Sequence, residues 1–118
     1  MSYEAQLHAL LAPLLQGRLY PDVPPEPVIY PCAVYQQMGG QSVWFNEGST
    51  PEQKHARVQL TVWADSRAQA NTLIRTIEDQ VCAGLPTAES FGAAIAVHEP
   101  VLHKHGARLD FGLWYADP

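Results

Sequence analysis

The chain has 118 residues, of which 47% are hydrophobic and 16% charged, and its formal net charge is −5. The length indicates one domain over residues 1–118, large enough to fold around its own core, and the composition excludes a disordered chain. The excess of acidic over basic residues argues against a general nucleic-acid binder, which needs a basic face for the phosphates, and leaves room only for a local basic patch.

Targeting signals are equally sparse. No apolar run approaches the roughly 20 residues of a membrane-spanning helix, so no membrane partner is predicted. The first residues lack the basic segment of a secretory signal, so the protein is expected to stay in the compartment where it is made.

The chain opens with leucines at helical spacing: Leu7, Leu10, Leu11 and Leu14. They predict a short amphipathic helix that packs on the core. Pro13 removes a backbone donor, so the helix is predicted to kink or to end by about Gly17. Five prolines follow within residues 20–31, and they predict an ordered extended connector between helix and strand.

Two short strands are predicted next, at residues 32–38 and 42–46, joined through Gly39 and Gly40 as a hairpin. Trp44 and Phe45 are adjacent in the second strand, so their side chains face opposite sides. Either one of them is exposed and marks a contact surface, or both are covered by a loop or the core. Residues 47–53 are polar and predict an exposed loop.

The central strand is predicted at residues 56–64, where apolar and polar residues alternate. Ala56, Val58, Leu60 and Val62 lie on one face of it, and Arg57, Gln59, Thr61 and Trp63 lie on the other. Such a pattern is typical of a strand that is covered on one face only.

An amphipathic helix is predicted directly after this strand. Its apolar stripe consists of Ala70, Leu73, Ile74, Ile77 and Val81. Ser66 with Gln69 predicts a capping box at its start, and Gly84 followed by Pro86 predicts its end.

Two last strands are predicted at residues 93–97 and 108–115. The resulting order is α-β-β-β-α-β-β. It predicts an α+β fold with a mostly antiparallel sheet of about five strands and both helices on one face.

The residues that could carry chemistry form no known catalytic motif. His103 and His105 flank Lys104 and would project from the same side of an extended backbone, as some metal ligands do, but a solvated turn between the last two strands is the simpler interpretation. No metal site, cofactor or catalytic residue is predicted, and the protein is not expected to be an enzyme. Cys32 and Cys82 are expected to be reduced, buried thiols.

Two segments carry a family resemblance. The first is Gly17-Arg18-Leu19-Tyr20-Pro21, followed by the proline-rich connector and by residues 31–36, Pro-Cys-Ala-Val-Tyr-Gln. The second is the strand of residues 57–66, Arg-Val-Gln-Leu-Thr-Val-Trp-Ala-Asp-Ser, which ends in an aromatic and leads into the helix. Together they resemble the tail-completion, or tail-terminator, proteins of long-tailed bacteriophages and prophages. Cys32 and Ala33 depart from the aromatic and branched residues expected there.

The resemblance implies a structural protein of virion assembly that forms a homo-oligomeric ring, commonly hexameric, at the head-proximal end of the tail tube. Such a ring would end tube polymerisation and join the tail to the head connector, so its partners would be itself, the tail tube protein and the connector proteins. Neither specific nucleic-acid binding nor a family catalytic residue is implied. The alternative is a small ligand-binding or regulatory α+β module that forms a dimer.

The surface that would make these contacts is predicted from the residues. A closed ring needs an interface between two different surfaces of each subunit, and a charge-poor chain with three tryptophans suits one. The predicted subunit or tube contacts are Trp44, Phe45, Arg57, Gln59, Thr61 and Trp63.

Overall fold

The computed structural model describes residues 3–40 and 53–116. Helix α1 spans Tyr3–Leu11 and continues as a 3₁₀ turn at Ala12–Leu15. The strands are β1 (Leu19–Pro21), β2 (Cys32–Gln37), β3 (Gln53–Ala64), β4 (Glu89–Ser90), β5 (Ile95–Glu99) and β6 (Lys104–Ala116), and helix α2 (Arg67–Gly84) lies between β3 and β4.

The described strands form one six-stranded sheet. Its order is β1-β2-β3-β6-β4, and β5 also pairs with β6. Only β1 and β2 run parallel, and the other pairs are antiparallel. The predicted α+β class with a mostly antiparallel sheet is therefore confirmed.

Two main features of the sheet differ from the prediction, and one predicted strand is not tested. Strands β1 and β4 have only three and two residues, too few for a periodic pattern to reveal them. Strand β6 begins at Lys104 rather than at residue 108, because it continues past the end of the apolar alternation to pair with β5. The predicted strand at residues 42–46 lies outside the described residues.

The core lies between the sheet and the two helices, which share one face of it. The inward residues of β3 are completely buried: Ala56, Val58, Leu60, Val62 and Ala64. They meet Ile74 and Ile77 of α2 and Leu7 of α1 in the same cluster. Burying one such aliphatic side chain contributes about 1.5–3 kcal/mol, so this layer accounts for much of the driving force for folding.

Tyr3 joins α1 to the sheet. Its hydroxyl donates to Oε1 of Gln37 at 2.7 Å, and its ring contacts that of Tyr115 with centroids 4.8 Å apart. Burial raises the pKa of Tyr3 to about 12, and the nearby Glu4 carboxylate acts in the same direction. The hydroxyl therefore stays protonated and remains a donor at neutral pH.

The end of α1 and the two ends of α2 lie where the sequence predicted them. Helix α1 gives way to the 3₁₀ turn around Pro13, and Gly17, at φ +83°, donates to the carbonyl of Ala12. At α2, the hydroxyl of Ser66 accepts from the backbone N–H of Gln69 at 3.1 Å, as the capping box predicts. The predicted end at Gly84 is also observed.

The proline-rich connector is ordered and tied to the sheet. Arg18 donates from Nε to the carbonyl of Pro31 at 2.8 Å, and Asp22 donates its backbone N–H to the carbonyl of Tyr35. The first residues of the segment form β1, so it is partly a sheet edge as well as a connector.

The two thiols differ in exposure. Both cysteines are free, but only Cys32 is buried. The expectation of a buried Cys82 is wrong, because this residue follows Val81 on α2 and lies outside the apolar stripe that faces the sheet.

Candidate assembly surface

The side of the sheet opposite the helices, termed here the outer face, has no helix packed on it in the part of the chain that the structure describes. Its residues follow from the strand alternation and register: Cys32, Val34 and Gln36 of β2, His55, Arg57, Gln59, Thr61 and Trp63 of β3, and Gly106, Arg108, Asp110, Gly112 and Trp114 of β6. A two-layer fold thus leaves one sheet surface that no described helix covers.

The prediction that four β3 side chains share one face agrees with the structure. Arg57 is exposed, whereas Gln59, Thr61 and Trp63 are half-buried by their neighbours on the sheet. Trp44 and Phe45 lie outside the described residues. That the six predicted residues make subunit or tube contacts stays a prediction.

Arg57 is held in place on this face. Its Nη2 atom lies 3.0 Å from Oδ2 of Asp110, and its guanidinium carbon lies 4.8 Å from the centroid of the Phe91 ring. The arginine side chain is 45% exposed, so the ion pair stabilises the fold by about 1 kcal/mol at most. Its main effect is to orient a charged group at the surface.

Gly112 makes room for the aromatic side chains around Arg57. A Cβ atom at this position would lie 2.7 Å from Cζ of Phe91 and 2.8 Å from Nε2 of His55. The His55 ring also meets the Trp114 ring edge-on, with centroids 4.8 Å apart. Aromatic side chains are therefore packed against the backbone of β6 along this part of the outer face.

A second glycine leaves room for an aromatic side chain at the other end of β3. Gly106 is the register partner of Trp63, and a Cβ there would lie 2.9 Å from Cε3 of Trp63 and 2.7 Å from Cγ2 of Val97. Neither glycine was singled out from the sequence. A signal was available only for Gly112, which lies inside the strand predicted at residues 108–115, where glycine often marks a close approach.

The connector covers the Trp63 end of the outer face. A cavity of about 260 Å³ lies between them, lined by Pro24, Glu26, Val28, Tyr30, Cys32, Trp63, Glu99, Leu102 and Lys104. Lys104 pairs with Asp65 and places Nζ 4.3 Å from the centroid of the Tyr30 ring. Burial raises the pKa of the Cys32 thiol, and the positive charge of Arg18 opposes this only partly.

Exposed apolar side chains project beside this cavity. Val101 is 82% exposed, and Leu102 and Ile29 are each 60% exposed. Exposed apolar side chains of the connector and of the turn between β5 and β6 thus lie beside the Trp63 end of the outer face. A sequence signal existed in Val101 and Leu102, an apolar pair between two strands, but it was not used.

The turn predicted near His103 is observed, whereas the extended backbone that the metal interpretation needed is not. His103 lies in the turn before β6 at φ +54°, so the extended backbone assumed for His103 and His105 does not exist. His105 instead lies opposite His98 of β5, with ring centroids 4.9 Å apart. Among the described residues, no group of three or more His, Cys, Asp or Glu side chains could hold a metal ion.

Comparison with protein families decides the assignment. The family described as tail completion protein gp17 matches residues 4–98 of the chain. The chain belongs to this family. It is thus a structural protein of phage tails, as its resemblance implied.

The fold agrees with a known virion structure. The chain is similar to a chain of the structure titled "Virion of native gene transfer agent (GTA) particle", with a TM-score of 0.63 and 16% sequence identity. The similarity covers 97% of this chain and 91% of the other. No curated protein matches the sequence. Among the described residues, no helix is long and apolar enough to span a membrane.

Proposed function

We propose that this protein forms a ring, of six subunits, that caps the head-proximal end of the tail tube, ends tube polymerisation and joins the tail to the head connector. Membership of the tail completion family supports this role, and the similarity of the fold to a chain in a virion particle is consistent with it. The structural observation that carries it is the outer face, an ordered sheet surface with no helix packed on it among the described elements.

The two edges of the sheet are formed by different strands, as a ring interface between different surfaces allows. Strand β1 forms one edge, whereas β4 and β5 form the other beyond β6. A closed ring requires that one surface of each subunit bind a different surface of the next, while a twofold dimer uses one surface twice. Non-equivalent edges are compatible with the first arrangement.

The outer face is assigned to subunit or tube contacts. Thr61 lies near its centre and is half-buried, so a partner could cover it without removing a charge from water. Arg57 and Trp63 flank this centre and are held by Asp110 and against Gly106, respectively. Such ordered arginine and tryptophan side chains lose little entropy when a partner binds them.

The charge of the chain suits a DNA passage. A net charge of −5 disfavours adhesion of DNA that crosses the ring, and no specific nucleic-acid binding is proposed. The protein would assemble in the bacterial cytoplasm and remain in the virion tail of an active phage or prophage. It acts by contact alone, without cofactor or enzymatic activity.

The test is the mass of the purified protein, measured by light scattering behind size exclusion over a range of concentrations, alone and with the cognate tail tube protein. A species of six times 13.0 kDa, free or bound to tubes, supports the proposal. A stable dimer at every concentration, or a monomer that does not bind tubes, contradicts it and favours the ligand-binding alternative.

The contact assignment has its own control. Trp63→Ala and Trp44→Ala are expected to weaken ring formation or tube binding, while circular dichroism shows an intact fold. If both variants assemble like the unmodified chain, the assignment of these two residues to the contact surface is wrong, and the ring itself can still stand.

A further inference from the structure

A pair of histidines at the β5 edge of the sheet has a geometry that suits a metal ion. His98 and His105 are direct register partners on antiparallel strands, and their ring planes meet at 41°. We propose that they form a two-histidine site for a divalent transition-metal ion such as Zn²⁺ or Ni²⁺, with water as the remaining ligands.

The spacing of the rings supports the proposal. A metal bound by imidazole lies about 2 Å from the ligating nitrogen, so two imidazoles on one ion have centroids roughly 4.5–5.3 Å apart. The observed separation is 4.9 Å. A neutral imidazole offers one nitrogen lone pair, and imidazole suits zinc, copper and nickel.

Both imidazoles are available to bind a metal ion. Within residues 3–40 and 53–116, the only side-chain interaction of His98 and His105 is the contact between their own rings. His98 is exposed and His105 half-buried, and both border a cavity of about 310 Å³. The other residues that line it include Ala96 and Gly106, whose small size leaves space for water ligands.

Arg67 limits the affinity of the site. It is the first residue of α2 and lines the same cavity, so its guanidinium repels a bound cation. No third protein ligand is present among the described residues. The site is therefore weaker than a four-ligand structural zinc site, and its metal exchanges with the solvent.

Binding would fasten the edge of the sheet. In the described part of the chain, β5 pairs with β6 alone, and the metal would add a second connection between these two strands. Because the ion binds the folded hairpin, it should raise the unfolding temperature as its concentration increases.

The experiment is isothermal titration calorimetry of the untagged full chain with Zn²⁺ and, separately, with Ni²⁺. One saturable site is expected, and His98→Ala or His105→Ala should each weaken it at least tenfold. His98→Asn serves as a second variant because this exposed position tolerates a polar side chain. Arg67→Ala should bind several-fold more tightly, since it removes the repelling charge.

Two variants provide the controls. His103→Ala changes an exposed histidine in the adjacent turn, and Cys82→Ser removes the exposed thiol; both should bind as the unmodified chain does. The proposal is overturned if no saturable binding occurs, if the folded His98 and His105 variants retain full affinity, or if Cys82→Ser abolishes binding.

Discussion

The indole of Trp63 lies against the backbone of Gly106, its partner on the neighbouring strand, because position 106 carries no side chain. The contact keeps a large aromatic side chain on a face that no described helix covers. A single glycine in β6 therefore determines how Trp63 lies on the surface that we propose for assembly.

Replacing this glycine tests the packing. In Gly106→Ala, the new methyl group would meet Trp63, Val97 and the carbonyl of Val62 at 2.7–2.9 Å. The backbone oxygen cannot move away freely, so we expect a loss of about 1–3 kcal/mol in the free energy of unfolding. Urea denaturation measures it, with the exposed Ala83→Ser as a control expected within about 0.5 kcal/mol of the unmodified chain. Equal stability of Gly106→Ala would show that the strands are not packed this closely.

The cap of α2 makes a separate prediction. Ser66→Ala removes the acceptor for the N–H of Gln69 and should lower the free energy of unfolding by about 1 kcal/mol. Ser66→Asp keeps an acceptor and should retain most of the stability. Thermal denaturation compares the three proteins, and identical melting of Ser66→Ala and the unmodified chain would argue against the cap.

The two thiols should react at different rates. Cys82 is exposed, whereas Cys32 is fully buried and its pKa is raised by burial, so little reactive thiolate forms there at neutral pH. A disulfide reagent should label one thiol per folded chain quickly and the second only after unfolding. Cys82→Ser should remove the fast phase. Fast labelling of both thiols in the folded chain would contradict the burial of Cys32.

The centre of the outer face can be changed without disturbing the fold. Thr61 is opposite Arg108, so the new carboxylate of Thr61→Glu has a cationic neighbour within the subunit. The fold should survive, but assembly should weaken at least tenfold because a partner must now cover a charge. Sedimentation with tail tubes measures this effect. Thr72→Glu, on the exposed surface of α2, is the matched control and should assemble normally. If Thr61→Glu assembles equally well, the centre of the outer face is not covered in the ring.

The sequence predicted those elements whose side chains repeat over many residues. The alternation in β3 and the stripe of α2 survive because each buries an entire apolar face. Strands β1 and β4 could not be found this way, since they are defined by backbone pairing with β2 and β6 rather than by their own side chains.

The candidate surface was predictable only in part. Alternation placed Arg57 and Trp63 on one face, but their partners Asp110 and Gly106 are 53 and 43 positions away, respectively, and depend on strand register. A turn near His103 was predicted, but the pairing of His98 with His105 depends on the register of β5 on β6. These contacts could not be predicted because they depend on the register between strands that are distant in the sequence.

The most direct test of the proposed role is electron microscopy of particles from a phage or prophage whose copy of this gene has been deleted and then restored. We expect tails of irregular length that are not joined to heads in the deletion, and joined tails of uniform length after restoration. Normal tails joined to heads in the absence of the protein would contradict the account.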